Sequence, residues 1–493
     1  MGKYSHLFKL KVNEKIAKKT AARCRKMNIT IPTFAQQKNP QSTPVAIKNR
    51  LKKIGLWDVN PDNLFRITWK NEPKTKGGLY GDVNFLEIPR EISGVKARII
   101  GLVGKYFPTG AHKVGAAFGC LVPRLVTGEF DPETQKAVWP STGNYCRGGA
   151  FDCALLGCTA VAILPEEMSK ERFIWLKKIG AEVIATPGCE SNVKEIYDKC
   201  WEIKRTRKDC VVFNQFDEFG NSAWHYHVTG SAIQEVYDKI KTPKSNFLSY
   251  VSSTGSAGTI SAGDYLKEHH LLLKIFASEA LQCPTLLSNG FGGHRIEGIG
   301  DKHVPWIHNT RNTDGVVAID DENSMSLLRL FNEPVGKNFL LKEIGVKNSV
   351  IEKLSLLGIS GLANLVSAIK IAKYYEANEN DVIFTIFTDS AEMYTSRIQE
   401  QAQLKGKYTD KAALVDYSMY LKGVGSDTMR ELTYYDRKRL HNLKYYTWIE
   451  QQRKSVADLN MLWDPDFWRD MHETSREWDK YITDFNKLVG SSK

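Results

Sequence analysis

The sequence predicts an α/β protein with a parallel sheet and helices on both of its faces, on two observations. Through the middle of the chain, short apolar runs alternate with segments of helical periodicity, the pattern of strand–helix–strand units. Gly/Ser/Thr-rich turns then join strands to helices, as connections at a sheet edge require. The first clear strand, Thr159-Ala-Val-Ala-Ile-Leu164, is ended by Pro165. Ser169 to Ile179 follows as an amphipathic helix, with Ser169 as N-cap and Gly180 as its stop. Further strands are expected at Glu182–Ala185, Cys210–Phe213, Phe247–Val251, Leu273–Ser278 and Val382–Phe387. No internal repeat is found.

The two ends differ from this middle. Residues 1–90 are polar and contain Pro and Asn with little strand–helix alternation, and read as an N-terminal extension. From about Glu400 the chain is charged, aromatic and helically spaced (Tyr434, Tyr435, Tyr445, Tyr446, Trp448, Trp463, Trp468, Trp478), and residues 398–493 read as a helical C-terminal extension. Such a tail packs on its own domain or on a sister subunit.

Size and composition exclude several classes. A chain of 493 residues is long enough for two or more domains, and 42% hydrophobic with 25% charged residues is the composition of a soluble globular protein. No apolar run reaches the length of a membrane span, so no membrane partner is expected. The Lys/Arg-rich stretch from Lys9 to Lys26 lacks the apolar core of a secretory signal, Glu14 interrupts any mitochondrial presequence, and His6 breaks the myristoylation pattern. Nine cysteines without a CxxC pair argue for free thiols in a reducing, cytoplasmic setting and against a zinc site; no metal is expected. The net charge of +12 is spread along the chain with acids interleaved. It reads as a surface favouring anionic small molecules, not as a nucleic-acid footprint.

Five segments carry chemistry. Lys113 lies in Phe107-Pro-Thr-Gly-Ala-His-Lys-Val-Gly-Ala116. A lysine among small residues in an apolar stretch can be desolvated, which favours the nucleophilic amine and Schiff-base formation. Alone, the segment equally describes a lysine on a helix surface, the commoner case. Pro140-Ser-Thr-Gly-Asn-Tyr-Cys-Arg-Gly-Gly149 opens a helix with small residues and hydroxyls, suiting a carboxylate or an ordinary capped turn. Ser252-Ser-Thr-Gly-Ser-Ala-Gly-Thr-Ile-Ser-Ala-Gly263 has the composition of a phosphate cradle between strand and helix. It is neither GxGxxG nor a Walker loop, so a small phosphorylated cofactor suits it better than a dinucleotide. Asp389-Ser390 follows the last strand, where a hydroxyl faces the ligand crevice or caps a helix. Gly292–Gly300 is a turn-rich loop.

In this order the segments resemble the fold-type II pyridoxal-phosphate enzymes, specifically the cysteine synthase and tryptophan synthase β-subunit group. Thr109-Gly-Ala-His-Lys113 looks like the cofactor-lysine motif of the latter, and Ser141-Thr-Gly-Asn144 like the substrate loop of cysteine synthases. Gly258-Thr-Ile-Ser261 is similar to the end of their phosphate loop. Further matches are Gln215-Phe-Asp through Thr229-Gly230, His294–Gly300, Gly358–Gly361 with Ala363-Asn364, and Asp389–Tyr394. The resemblance spans roughly residues 95–397. It implies two open twisted parallel-rich sheets, a catalytic core over 91–397 and a smaller mobile subdomain at about 137–240. It implies that Lys113 holds pyridoxal 5'-phosphate as a Schiff base and shuttles the Cα proton. Gly255, Ser256, Ala257, Gly258 and Thr259 would cradle the phosphate, Asn144 contact the ring hydroxyl, and Ser390 the ring nitrogen. Ser141, Thr142, Gly143 and Gln215 would bind the substrate carboxylate. A neutral partner at Ser390 disfavours transamination and favours loss of a β-leaving group through an aminoacrylate; Asp389 is the rival partner, which would make racemase- or transaminase-like chemistry credible. The function so implied is β-elimination or β-replacement on a small amino acid (serine, an O-activated serine or cysteine), in a homodimer. A serine/threonine dehydratase of the same fold, and a non-catalytic cofactor-binding subunit, are the alternatives.

Four features stand out. Arg147 could read a second acidic group of a substrate, or point to solvent or pair a local acid. Cys146 at a helix start could be an activated or a buried inert thiol. Ser256-Ala257 replaces a pair that includes glycine in cysteine synthases, and His112 precedes the lysine, where it could tune it, hold the phosphate or simply pack.

Overall fold

The computed structural model describes residues 2–141, 143–168, 170–188, 193–300 and 302–490. Its strands are β1 (Phe85–Ile88), β2 (Arg98–Val103), β3 (Lys136–Pro140), β4 (Thr159–Pro165), β5 (Glu182–Thr186), β6 (Cys210–Val212), β7 (Asn246–Ser253), β8 (Lys274–Ala280), β9 (Gly315–Ile319), β10 (Asp381–Phe387) and β11 (Met429–Glu431). They form a seven-stranded sheet in the order β1-β2-β10-β7-β8-β9-β11 and a four-stranded sheet in the order β5-β4-β3-β6. Within the larger sheet β2, β10, β7, β8 and β9 run parallel, and only the edge strands β1 and β11 are antiparallel to their neighbours. All four strands of the smaller sheet are parallel. Central β10, Asp-Val-Ile-Phe-Thr-Ile-Phe, is buried along its whole length, which is why it reads as a continuous apolar run without alternation.

Every expected strand is present within a few residues. β2, β3 and β9 are additional, and so are the two antiparallel edges, which come from the flanks of the chain: β1 from the N-terminal extension and β11 from the C-terminal one. Ser169, expected as an N-cap, lies outside the described residues; its helix runs Lys170–Lys178.

The aromatic tail folds back on its own chain. Trp448, Trp468 and Trp478 are buried, and the Trp478 indole donates to the Phe8 carbonyl. Asp479 accepts the amides of Phe34 and Ala35 at 2.7 and 2.9 Å, satisfying donors at the start of a short N-terminal helix. The N-terminal segment in turn reaches the core, where the Trp224 indole donates to Gln37 and that of Trp69 to Thr229. The two extensions therefore form one layer over the core. Among the described residues no single helix is long and apolar enough to cross a membrane.

Candidate active site

Four of the chemistry-bearing segments leave the carboxyl ends of parallel strands, where the loops of an open α/β sheet meet. β2 leads to Lys113, β3 to Ser141–Asn144, β7 to Gly255–Thr259 and β10 to Asp389-Ser390. They converge on one cavity lined by Lys113, Ser141, Asn144, Gln215, Gly255 and Ser256, with Gly298, Ser360 and Thr388 completing its wall.

Lys113 begins the helix Lys113–Thr127, whose remaining residues but one are fully buried. Its Nζ donates to Gln215 Oε1 at 3.1 Å and to Ser256 Oγ at 2.8 Å. Asn221 fixes both partners, donating to Ser256 Oγ at 3.1 Å and to the Gln215 carbonyl at 3.0 Å. The phosphate-loop segment is tightly shaped. A Cβ on Gly258 would stand 2.0 Å from Asn221 Oδ1, and one on Gly255 would stand 2.5 Å from the Gly298 carbonyl oxygen. Ala257 keeps the path with a left-handed φ of 59°, a conformation that costs a non-glycine residue about 1–2 kcal/mol. Tyr250 donates its hydroxyl to the Thr259 carbonyl at 2.9 Å, and Thr259–Ser261 runs straight into the helix Ala262–His269. Gly-rich backbone and a helix start thus share one spot, as an anion site requires.

On the opposite wall, Ser141 Oγ accepts the Gly143 amide at 2.9 Å, turning the chain into the helix Asn144–Leu155. Thr142 lies outside the described residues. Asn144 Nδ2 donates to Asp389 Oδ2 at 2.6 Å, and the Tyr394 hydroxyl donates to the same oxygen at 2.6 Å. Burial pushes the Asp389 carboxyl above its ordinary value, and those two donors oppose the shift. Ser390 Oγ, next along the chain, is buried and has no hydrogen-bond partner, and the same is true of Asn144 Oδ1. A buried hydroxyl left unpaired costs on the order of 1–3 kcal/mol, so both atoms have hydrogen-bonding capacity that a ligand could satisfy. Asp389 Oδ2 is engaged inside the protein, while its Oδ1, packed against Gly358, and Ser390 Oγ both lack a hydrogen-bond partner among the described residues.

The residues between these walls answer three open points. Arg147 neither lines the cavity nor points to solvent, and among the described residues it pairs with no acid. It is buried between the Trp57 and Trp175 rings, 5.5 and 4.9 Å from their centroids, with Met393 Sδ 3.3 Å from Nη1. Cys146 is the inert thiol: burial pushes it up to about 12. His112 is fully buried, held to about 3 by that burial with Lys113 adding to it, and its ring packs edge-on to His225 at 5.1 Å.

Some participants are not legible in the sequence. Asn221 works only through space, and nothing in its local pattern distinguishes it. Glu297 falls in the family-like segment His294–Gly300 but carried no role there; its Oε2 is 2.9 Å from Nη1 of buried Arg172, and Arg397 Nε is 2.7 Å from its other oxygen. Arg172 lies directly against Gly143, where a Cβ would meet its Nη1 at 2.0 Å, and contacts the Tyr394 hydroxyl.

Residues 105–336 match the family of pyridoxal-phosphate-dependent enzymes. Cystathionine β-synthase of Saccharomyces cerevisiae is 26% identical over 328 residues, 65% of this chain but 61% of the yeast protein's length. The probable cysteine synthase of Bacillus subtilis is 27% identical over 319 residues, 64% of this chain and 94% of that one. A solved hydrogen sulfide-producing enzyme of Fusobacterium nucleatum superposes with a TM-score of 0.53 at 25% identity, covering 67% of this chain and 92% of its own. Fold, site and matches define a pyridoxal-phosphate-dependent enzyme of fold type II. Within that class the chain is similar to cysteine synthases, cystathionine β-synthase and hydrogen sulfide-producing enzymes.

Proposed function

We propose that the protein carries out β-elimination or β-replacement on a small L-amino acid with a leaving group at Cβ, such as serine, an O-activated serine or cysteine. The observation that carries this reading is the arrangement at the end of β10: Asp389 Oδ2 is taken by Asn144 and Tyr394, its Oδ1 packs against Gly358, and the neutral Ser390 hydroxyl is unpaired. The residues fit pyridoxal phosphate. Lys113 would bear the aldehyde, Gly255, Ser256, Ala257, Gly258 and Thr259 the phosphate, Asn144 the ring hydroxyl and Ser390 the ring nitrogen. When bound, that group supplies an electron sink for bond cleavage at the amino-acid Cα.

The chain's own residues do the rest. Ser141 and Gly143, just before the helix Asn144–Leu155, with Gln215 opposite, orient the substrate carboxylate through backbone N–H groups and hydroxyls, and the resemblance gives Thr142 the same role. Lys113 Nζ, poised between Gln215 and Ser256, takes the Cα proton and can return it. Tyr145 and Phe216 exclude water from one side of the cavity. The smaller parallel sheet supports a mobile subdomain at about 137–240 as part of the same reading. A homodimer in the cytoplasm follows from the family resemblance, and light scattering checks the dimer.

The test is a product panel: serine, O-acetylserine, O-phosphoserine and cysteine, with and without sulfide. Incorporation of sulfide marks replacement, and a keto acid with ammonia marks elimination. A visible-edge absorbance band that shifts with amino acid and disappears in Lys113→Ala is required. Purified protein that shows no such band after pyridoxal phosphate is supplied would overturn the reading.

A further inference from the structure

We propose that Trp57, in the N-terminal extension and outside the family match, is a positioning residue for the catalytic centre. It would act through Arg147 to fix the helix that carries Asn144. The inference rests on the cofactor reading of that site and extends it to a segment no family resemblance covers.

Trp57 sits in the turn Gly55–Asp58, and this turn is built with unusual care. Asp58 accepts the Gly55 amide at 2.6 Å. The fully buried Asn63 donates to the carbonyls of Gly55 and Asp58 at 2.9 and 2.8 Å. Buried Arg66 donates to the Leu51 and Ile54 carbonyls, both at 2.7 Å. Ordering a surface turn costs conformational entropy at every residue, and here five side-chain-to-backbone bonds hold it and the residues leading into it. What the turn presents is one indole, 39% exposed.

The inner face of that indole meets the catalytic segments. Gly110, three residues before Lys113 and at φ +70°, has room for no side chain: a Cβ would lie 2.9 Å from Trp57 Cζ2 and 3.7 Å from Met393 Sδ. Met393 is three residues beyond Ser390. Arg147 is one turn along from Asn144 on the same helix, and residues three apart share a helix face. Its guanidinium is 3% exposed, yet among the described residues it meets no carboxylate, and its Nε has no hydrogen-bond partner. Two indoles flank it instead, 6.0 Å apart and nearly perpendicular. A desolvated guanidinium is costly, and ring faces are the attraction available to it. With the Trp57 ring removed, water reaches Arg147, the guanidinium turns outward, and the first helical turn loses its anchor. The lysine loop, the asparagine helix and the Ser390 loop are thus buttressed from one side by a residue of the extension.

The test uses Trp57→Ala, Trp57→Phe, Arg147→Met and the Ala/Met double variant, each resolved of cofactor and titrated with pyridoxal phosphate by absorbance. Trp57→Ala should weaken cofactor affinity about tenfold, the size of a desolvated cation–π contact, and Trp57→Phe should restore most of it. Arg147→Met should weaken affinity similarly, and the double variant should be no worse than Arg147→Met. In the cofactor-free protein, amide exchange over residues 144–148 and 107–113 should quicken in Trp57→Ala, with the rest of the sheet unaffected. Affinity within twofold of wild type with unchanged exchange would overturn the proposal, as would strict additivity of the two single variants. If wild type binds no pyridoxal phosphate, the functional reading fails on its own, and the exchange measurement still decides this one.

Discussion

Asp389→Asn separates the two candidates for the ring nitrogen. In the folded protein Asp389 Oδ2 receives two hydrogen bonds of 2.6 Å, from Asn144 and Tyr394. Bonds to a charged acceptor contribute about 1.5–3 kcal/mol each, and neutral ones about 1 kcal/mol. Replacing the carboxylate by an amide of the same shape therefore removes about 1–2 kcal/mol from the positioning of Asn144, after the cost of burying the charge is relieved. The expected result is a fall in kcat/KM of about tenfold with weaker cofactor affinity. The products and the absorption maximum of the bound cofactor should not change, because Asp389 acts through Asn144. Ser390→Ala should do the reverse, shifting the absorption maximum at nearly normal affinity. Steady-state kinetics and absorbance spectra on both variants decide it. A shifted spectrum or new transamination products in Asp389→Asn, with Ser390→Ala silent, would refute the reasoning and give the ring nitrogen to Asp389.

Other expected outcomes follow from the same geometry. Gly258→Ala drives a methyl to 2.0 Å from Asn221 Oδ1 and should weaken cofactor binding by roughly 10- to 100-fold, the effect of about 1–3 kcal/mol of overpacking. Ala257→Gly, which relieves the left-handed φ, should keep binding intact, and absorbance titration reads both. Glu297→Gln leaves Arg172 and Arg397 without their shared carboxylate. It should cost about 3–5 kcal/mol of stability, seen as a clear fall in the thermal midpoint; a midpoint within a degree of wild type would contradict the ion-pair account. Glu279 is buried and accepts the amides of Leu286 and Leu287, and burial pushes it from 4.5 up to about 8. The folded state then binds the extra proton, so stability falls as pH rises from about 4.5 through about 8. Urea midpoints should show that decline in wild type and a flatter profile in Glu279→Gln.

The sequence by itself determined the parts whose physics is local. The continuous apolar run of β10 can only be a buried strand, so Val382–Phe387 was legible without a partner. Lys113, Asn144, the Gly255–Thr259 loop and Ser390 could be singled out as candidates because strand-to-loop junctions, glycines and hydroxyls suit an anion, while their roles came from the family resemblance of the ordered series. Tertiary structure decided what depends on segments far apart in the chain. Asp389 and Ser390 are neighbours with equal claims on paper; Asn144, arriving from a distant helix, joins nearby Tyr394 in committing Asp389 Oδ2, and the Ser390 hydroxyl is left unpaired. Arg147 looked like a surface or substrate-reading cation until Trp57 and Trp175 enclosed it. The extensions, compositionally unlike the core, supply both edges of the main sheet, and the N-terminal one packs Trp57 behind Gly110 and Arg147. Hydrogen-bond satisfaction and desolvation are properties of packed neighbours, and a linear sequence does not say who those neighbours are.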